Sequence, residues 1–423
     1  MNNINSESER QTRKRRIDPQ LQELGWAVEP YDERKPLSWY QNCAIEEYPT
    51  ANGPADYALC VDGRIAGVVE AKKITLGPQN VLTQAQRYSR GVVGNQQWPM
   101  NFDGQRVPFL YSTNGEVIWF QDARHGLNRS RRVVRFHTPD ALREMVARDF
   151  EAGCQWVTQI PNDHPRLRPY QIEANTAIEK AIAQRKREML VAMATGTGKT
   201  FTMVNQVYRL MKSGVARRIL FLVDRRALAA QAVRAFASFE PEPGLKFDNI
   251  YEVYSQRFQR EDFDEEEKFD PNVLPASYLT DPQPGHAFVY VSTIQRMTIN
   301  LLGRDAIFDT GDEPIDDDAE RLNIPIHAFD VIIADECHRG YSPTLKNATA
   351  QTRTAEANAR TPARKAASAN STSARSKSPI TNSTSPGCAT NRWKTPMNCL
   401  NRRIWPPRRL QNLKRSWMIC ERC

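Results

Sequence analysis

The side chains with the clearest chemical use fall in two groups. In the first, Met189-Leu190-Val191-Ala192-Met193-Ala194 runs into Thr195-Gly196-Thr197-Gly198-Lys199-Thr200, and Met203, Val204, Val207, Leu210 and Met211 then recur at helical spacing. A strand, a glycine loop and a helix in this order turn backbone N–H groups onto phosphate at a helix N-terminus. Lys199 is placed to reach the β- and γ-phosphates and Thr200 to bind Mg2+. The general pattern asks for glycine at 193, where this chain has Met193. Downstream, Phe329-Asp330-Val331-Ile332-Ile333-Ala334-Asp335-Glu336-Cys337-His338 puts two acids at the end of a buried apolar strand, where unbalanced charge is costly. A metal ion balances them: Asp335 is expected to hold Mg2+, and Glu336 to orient and deprotonate the water attacking a γ-phosphate.

The second group lies upstream. Gly53-Pro54-Ala55-Asp56-Tyr57-Ala58-Leu59-Cys60-Val61 and Arg64-Ile65-Ala66-Gly67-Val68-Val69-Glu70-Ala71-Lys72 flank Asp62-Gly63, which reads as a hairpin. A two-residue loop pairs position 56 with 69 and separates Asp56 from Glu70. A three-residue loop, Val61-Asp62-Gly63 with a bulge, pairs 60 with 64 and 56 with 68, placing Asp56, Glu70 and Lys72 on one face; this register is the one expected. Two carboxylates so placed can hold a divalent ion that polarises a phosphodiester, while the lysine steadies the attacking hydroxide.

The elements that must carry these groups follow from periodicity. Residues 1–150 alternate short helical and strand patterns, and the proline-rich Ile160-Pro161-Asn162-Asp163-His164-Pro165 marks a boundary. From Arg168 to Ser342, apolar runs at Met189–Ala194, Ile219–Val223, Phe288–Val291 and Val331–Ala334 alternate with helical stretches, which implies a parallel α/β sheet. Tyr251–Asp281, with its acidic run Glu261–Glu267, reads as an insertion or long loop between strands, and Asp309–Glu320 as another acidic loop. The expected organisation is therefore 1–160, 161–342 and a low-complexity segment 343–423.

Composition narrows the class. The 423 residues are 40% hydrophobic and 25% charged, enough for two to three domains, with no apolar run of membrane-spanning length. The start, MNNINSESER, lacks the apolar stretch of a secretory signal, so the expectation is a soluble cytoplasmic protein with no membrane partner. Cys43, Cys60, Cys154 and Cys337 lack paired spacing and fit reduced thiols. The net charge of +9 belongs to the tail: residues 343–423 hold 16 Lys/Arg against 2 Asp/Glu, and the rest holds 42 against 47. Bulk charge thus gives no argument for nucleic acid in the body, and that argument must come from sites. The tail, poor in large apolar residues, cannot bury a core. It is either a native basic disordered tail or out-of-frame translation from about codon 343, and its abrupt onset favours the second.

Taken together, Ala194–Thr200 with Asp335-Glu336-Cys337-His338 resembles the first RecA-like domain of superfamily 2 helicases and translocases, which accept a non-glycine at the position of Met193. The resemblance implies an adenine-contacting role for Gln171 in Arg168-Pro169-Tyr170-Gln171, and DNA-backbone contacts near Asp224-Arg225-Arg226 and Ser292-Thr293-Ile294-Gln295. Asp56, Glu70 and Lys72 resemble the PD-(D/E)xK nuclease core. Gln84-Ala85-Gln86-Arg87-Tyr88 looks like the QxxxY helix of its type I restriction branch, which adds Gln84 and Tyr88 to the catalytic set. The opening Glu9-Arg10-Gln11-Thr12-Arg13 through Ile17-Asp18, ending Leu24-Gly25-Trp26, looks like that branch's first helix, where an acid often joins the metal site, and Pro108–Gly115 like its late strand and turn.

Nuclease followed by motor is the order in the R subunit of type I restriction enzymes. For residues 5–342 the resemblance implies ATP and Mg2+ as cofactors, double-stranded DNA as substrate, and methyltransferase (M) and specificity (S) subunits as partners. It implies ATP-dependent translocation and cleavage of unmodified DNA in the intact family. With no second RecA-like domain after Asp335-Glu336, ATP binding without translocation is expected here. The alternatives are a superfamily 2 DNA helicase with an inert N-terminal DNA-binding domain and a non-enzymatic remnant that docks on the methyltransferase core.

Overall fold

A computed structural model describes residues 8–73, 82–92, 104–258, 271–306 and 319–335, and the backbone of 416–421. Glu336 and most of the tail, residues 336–415 and 422–423, lie outside the described residues.

The chain opens with α1 (Glu9–Thr12), capped by Ser8 and Gln11, which passes through a π-helical turn, Arg13–Ile17, into α2 (Asp18–Glu23). Strands β1 (Ala27–Pro30), β2 (Cys43–Tyr48), β3 (Ala55–Val61) and β4 (Arg64–Ala71) lead to helix α3 (Leu82–Gly91). After it come β5 (Phe109–Thr113), β6 (Ile118–Asp122), β7 (Arg131–Val133) and helix α4 (Pro139–Ala147). The seven strands lie side by side in chain order; β1/β2 and β4/β5 are parallel and the other pairs antiparallel. Each face buries its own core. Ile17, Leu21 and Leu142, from the first helices and α4, pack with Tyr57, Leu59 and Tyr111 on one side. Ala85 of α3 packs with Ala58, Cys60, Ile65 and Val68 on the other. The result is a three-layer α/β/α domain.

The β3–β4 hairpin departs from the expected register. Its loop has two residues, Asp62 and Gly63, both with positive φ (52° and 71°), and Val61 pairs with Arg64. The offset comes two residues later: Cys60 pairs with Ile65 but Leu59 with Gly67, so Ala66 is a bulge. The three-residue loop is thus corrected, because Asp-Gly satisfies the left-handed positions of a tight primed turn and the extra residue is absorbed within the strand. The shared face survives: Tyr57 pairs with Val69, which carries Asp56 to Glu70.

The second sheet is built from β8 (Glu188–Ala192), β9 (Arg218–Val223), β10 (Glu252–Ser255), β11 (Phe288–Thr293), β12 (Val331–Ala334) and β13 (Ser416–Glu421), in the order β10-β11-β9-β12-β13-β8. Helices α5 (Phe150–Gln159), α6 (Pro169–Ala183), α7 (Lys199–Lys212), α8 (Arg226–Ala237), α9 (Ala276–Thr280) and α10 (Ile294–Leu302) surround it. The strands β10, β11, β9 and β12 are mutually parallel, and three of them, β9, β11 and β12, are apolar runs expected to form a parallel sheet. Three features differ from expectation. Strand β10 and helix α9 lie inside the segment read as a loop, because an edge strand of four residues gives no long apolar run. Strand β8 alternates exposed and half-buried residues instead of being fully buried, with Leu190 at 44% exposure on the sheet edge. The tail is not featureless: its apolar run Trp417-Met418-Ile419-Cys420 forms β13, antiparallel to both β8 and β12, and pairs backbone groups that would otherwise be open edges. The change of core falls ahead of residue 160, since Cys154 and Val157 of α5 pack with Met203, Val207 and Phe221.

Between the two sheets lies a buried charge network. Arg218, at 0% exposure, donates from Nη1 and Nη2 to the Glu144 carboxylate of α4 (3.2 and 2.7 Å), and its other N–H groups reach the carbonyls of Ala328, Gln283 and His327. Arg148 joins Glu144 (3.0 Å) to Asp330 (2.8 Å), whose other oxygen accepts from the backbone N–H groups of Arg217 and Arg218. Among the described residues, no helix is long and apolar enough to cross a membrane.

Candidate active sites

In the first domain, the hairpin puts Asp56 and Glu70 on adjacent strands, facing α3. Asp56 is fixed from both sides: Oδ1 accepts from Arg13 Nη1 (2.7 Å) and Oδ2 from the Ala71 N–H (2.7 Å). Glu70 is 3% exposed and accepts from Lys72 Nζ at 2.6 Å. Lys72 leans also toward Glu9, 3.8 Å away, which brings an acid of the first helix to the same place. Burial, and the nearby Asp56 charge, push the Glu70 carboxyl up to about 7 despite the opposing pull of Lys72; burial likewise raises Asp56 against the pull of Ala71 and Arg13.

Helix α3 brings its two sequence-derived residues unequally. Tyr88 is half-buried, and the negative charge of Glu70 adds to burial in raising its phenol. Gln84 is exposed. The helix is held against the approach to β3 by a clasp that sequence reasoning missed: Asn52 Nδ2 donates to the Arg87 carbonyl (2.7 Å), Arg87 Nη2 to the Asn52 carbonyl (2.7 Å), and the Ala51 N–H to the Gly91 carbonyl (2.7 Å). A Cβ at Gly91 would lie 2.9 Å from the Asn52 nitrogen, so that approach requires glycine.

The donor set fits a divalent ion of the magnesium type. Among the described residues no three Asp, Glu, His or Cys side chains close on one point, so protein would supply two carboxylates and water the rest, as small hard cations favour. Four carboxylates (Glu9, Glu47, Asp56, Glu70) face two cations (Arg13, Lys72), a formal excess that one divalent ion neutralises.

In the second domain, the glycine loop leaves β8 and enters α7 at Lys199, with Gly196 and Gly198 at φ 76° and 75°. Thr195 is exposed; Thr197 Oγ1 donates to the Ala194 carbonyl (2.7 Å), closing the loop; Lys199 and Thr200 open the helix and are half-buried. Gln171 is turned onto this loop: its Nε2 donates to the carbonyls of Thr197 (2.9 Å) and Gly198 (3.3 Å), and its Oε1 accepts from the Arg168 N–H. Beside it opens a small cavity lined by Arg168, Gly198, Phe201 and Arg166, whose guanidinium lies 4.8 Å from the centre of the Phe201 ring. Asp335 leaves β12 on the same sheet edge as the loop, since β8 and β12 run parallel with β13 between them. Two strand spacings separate β8 from β12 by about 10 Å. Ser292 and Thr293 are engaged by Gln256, whose Oε1 accepts from the Thr293 N–H (2.8 Å), while Arg225 at the end of β9 is half exposed.

A three-layer α/β/α domain followed by a domain with a glycine loop and a parallel-rich sheet is the pairing found in restriction-enzyme subunits with a helicase-like domain. The comparisons with known proteins agree. Residues 33–146 match the family model described as "Type I restriction enzyme EcoKI endonuclease subunit second domain", and residues 164–359 that described as "Type III restriction enzyme, res subunit". The EcoKI endonuclease subunit of Escherichia coli K12 is 31% identical over 376 residues, covering 77% of this chain and 28% of that protein. The EcoAI endonuclease subunit of Escherichia coli is 30% identical over 179 residues, 36% of this chain and 21% of that subunit. UvrABC system protein B of Protochlamydia amoebophila is 35% identical over 86 residues, 20% of this chain and 12% of its own. The chain belongs to the family of type I restriction enzyme endonuclease (R) subunits, and its matches span 28% or less of the length of these relatives.

Proposed function

We propose that this chain carries a divalent-metal nuclease site at Asp56, Glu70 and Lys72 and an ATP·Mg2+ site at Gln171, Thr195–Thr200 and Asp335, and that it works on double-stranded DNA within a cytoplasmic type I restriction complex with M and S subunits. The observation that carries the reading is the hairpin register, in which Tyr57 pairs with Val69 and so sets Asp56 across from Glu70, with Lys72, two residues on, donating to Glu70. A bound ion would polarise the phosphodiester and lower the pKa of an attached water. Glu70 and Asp56 would hold it, Lys72 would hold the attacking oxygen in place, and Tyr88 would border the cleft. In the second site, Lys199 and the N-terminus of α7 would take the phosphates, Thr200 and Asp335 the ion, and Glu336, by family resemblance, the water.

Calorimetric titration of the full chain with Mn2+ and with ATP·Mg2+ tests both sites. Asp56→Asn together with Glu70→Gln should abolish Mn2+ binding at the first site and leave ATP binding intact. Lys199→Ala should do the reverse. Unchanged Mn2+ binding in the first variant would refute the nuclease reading.

A further inference from the structure

Asp56 is held by a residue that no motif assigns. Arg13 sits in the π-helical turn between α1 and α2, and such turns recur at functional sites. Its side chain is 9% exposed and bridges two carboxylates: Nη1 to Asp56 Oδ1 at 2.7 Å and Nη2 to Glu47 Oε1 at 2.5 Å. The sheet supplies both partners. Glu47 lies in β2 between Glu46, which pairs with Tyr57, and Tyr48, which pairs with Ala55; its φ of 51° takes it out of the regular ladder, and its carboxylate meets the Arg13 guanidinium. On the other side of β3 the register sets Asp56 across from Glu70. Arg13 therefore sits between the Glu47 and Asp56 carboxylates, on the β2 side of Asp56. Asp56 Oδ2, fixed by the Ala71 N–H, lies on the β4 side.

We infer that Arg13 is a positioning residue for the ion: it pins Asp56 Oδ1 on the β2 side so that Oδ2 is presented toward Glu70. The inference rests on the reading of Asp56 and Glu70 as ion ligands. A cation beside a metal site also repels the metal, and the sign of its effect depends on which term wins. Here Glu47 bridges the same guanidinium and offsets its charge, so orientation outweighs repulsion. Partners that hold a ligating carboxylate typically matter about 10- to 100-fold in metal affinity.

The test is Mn2+ affinity of the full chain by calorimetry, with near-UV circular dichroism as the control for folding. Arg13→Met should weaken Mn2+ binding about 10- to 100-fold. Arg13→Lys, which keeps the charge but cannot span both carboxylates, should recover part of the loss. Glu47→Gln, at a residue whose side chain is 55% exposed and which carries no core packing, should weaken binding about fivefold by leaving Arg13 unbalanced. If Arg13→Met binds Mn2+ as well as or better than the parent while Asp56→Asn abolishes binding, the positioning role is wrong and the ion site stands. If the parent binds no Mn2+, or Asp56→Asn has no effect, the ion site fails and the inference with it. Should Arg13→Met not fold, Glu47→Gln decides, and affinity within twofold of the parent overturns the role.

Discussion

Asp56 lies across from Glu70 because one residue, Ala66, is bulged out of the strand between them and the turn. Starting from Val61 opposite Arg64, a regular ladder would bring Val69 opposite Asp56 and turn Glu70 to the other face; the bulge shifts the count by one. Deleting Ala66 should therefore leave the Asp56–Glu70 pairing, and Mn2+ binding, largely intact. Inserting an alanine between Val69 and Glu70 should separate the acids and weaken Mn2+ binding by at least about tenfold. Calorimetry on the two variants, each checked for folding by circular dichroism, reads the difference.

The Glu70 carboxyl, pushed up to about 7 by burial, gives the domain a pH signature. An unfolded glutamate titrates near 4.5, so between about pH 4.5 and 7 the folded chain binds a proton that the unfolded chain does not. Stability should fall as pH rises through that window and level off above it. Glu70→Gln should flatten the slope and stabilise the chain above pH 7 by up to about 3 kcal/mol. Urea unfolding at pH 5.5 and 8 checks both. Mn2+ binding, which needs the ionised form, should release close to one proton near pH 6, measurable by calorimetry in two buffers.

Much of this architecture is legible in the amino-acid sequence. Four strands of the second sheet announce themselves as short apolar runs, and Gly196 and Gly198 mark a tight turn into a helix, where both take positive φ. The paired faces of Asp56 and Glu70 were also within reach, though by the wrong device. The bulge does leave a trace: Ile65 and Val68, three residues apart, pack into one core, and Ala66 and Val69 into the other, a spacing that a regular strand cannot produce. Arg13 leaves no such trace, because an arginine in a run of basic residues looks like solvated surface until the fold brings Glu47 and Asp56 to it. The same holds for Arg218 and Glu144, whose partnership spans 74 residues of sequence.

Gly198 is needed twice over. Its φ of 75° disfavours any side chain, and a Cβ there would lie 2.7 Å from Gln171 Nε2. Gly198→Ala should therefore reduce ATP affinity by at least about tenfold, from roughly 1–2 kcal/mol of backbone strain plus displacement of Gln171. Adding Gln171→Ala removes the collision but not the strain, so the double variant should recover only part of the loss. Binding of a fluorescent ATP analogue distinguishes partial from full recovery.

The network between the sheets predicts a strong thermodynamic coupling. Glu144, Arg148, Arg218 and Asp330 have side chains at most 6% exposed, so each charge depends on its partners for solvation. Burial would raise the Glu144 carboxyl, yet Arg218 and Arg148 beside it hold it below the usual range. Its contribution is thus present above the unfolded pKa and lost as pH falls through the folded one. Glu144→Leu strands Arg218 and should cost about 3–5 kcal/mol; Arg218→Met leaves Glu144 with Arg148 as its buried cation and should cost less. The double variant removes one positive and one negative charge and leaves Arg148 paired with Asp330. It should be less destabilised than the sum of the singles by about 2 kcal/mol or more. Urea unfolding of the four chains gives this coupling directly. Limited trypsin digestion gives a second reading: either single variant should expose Arg148, at the junction of α4 and α5, to faster cleavage than in the parent, and unchanged protection would argue that the network does not fasten the nuclease-like domain to the P-loop sheet.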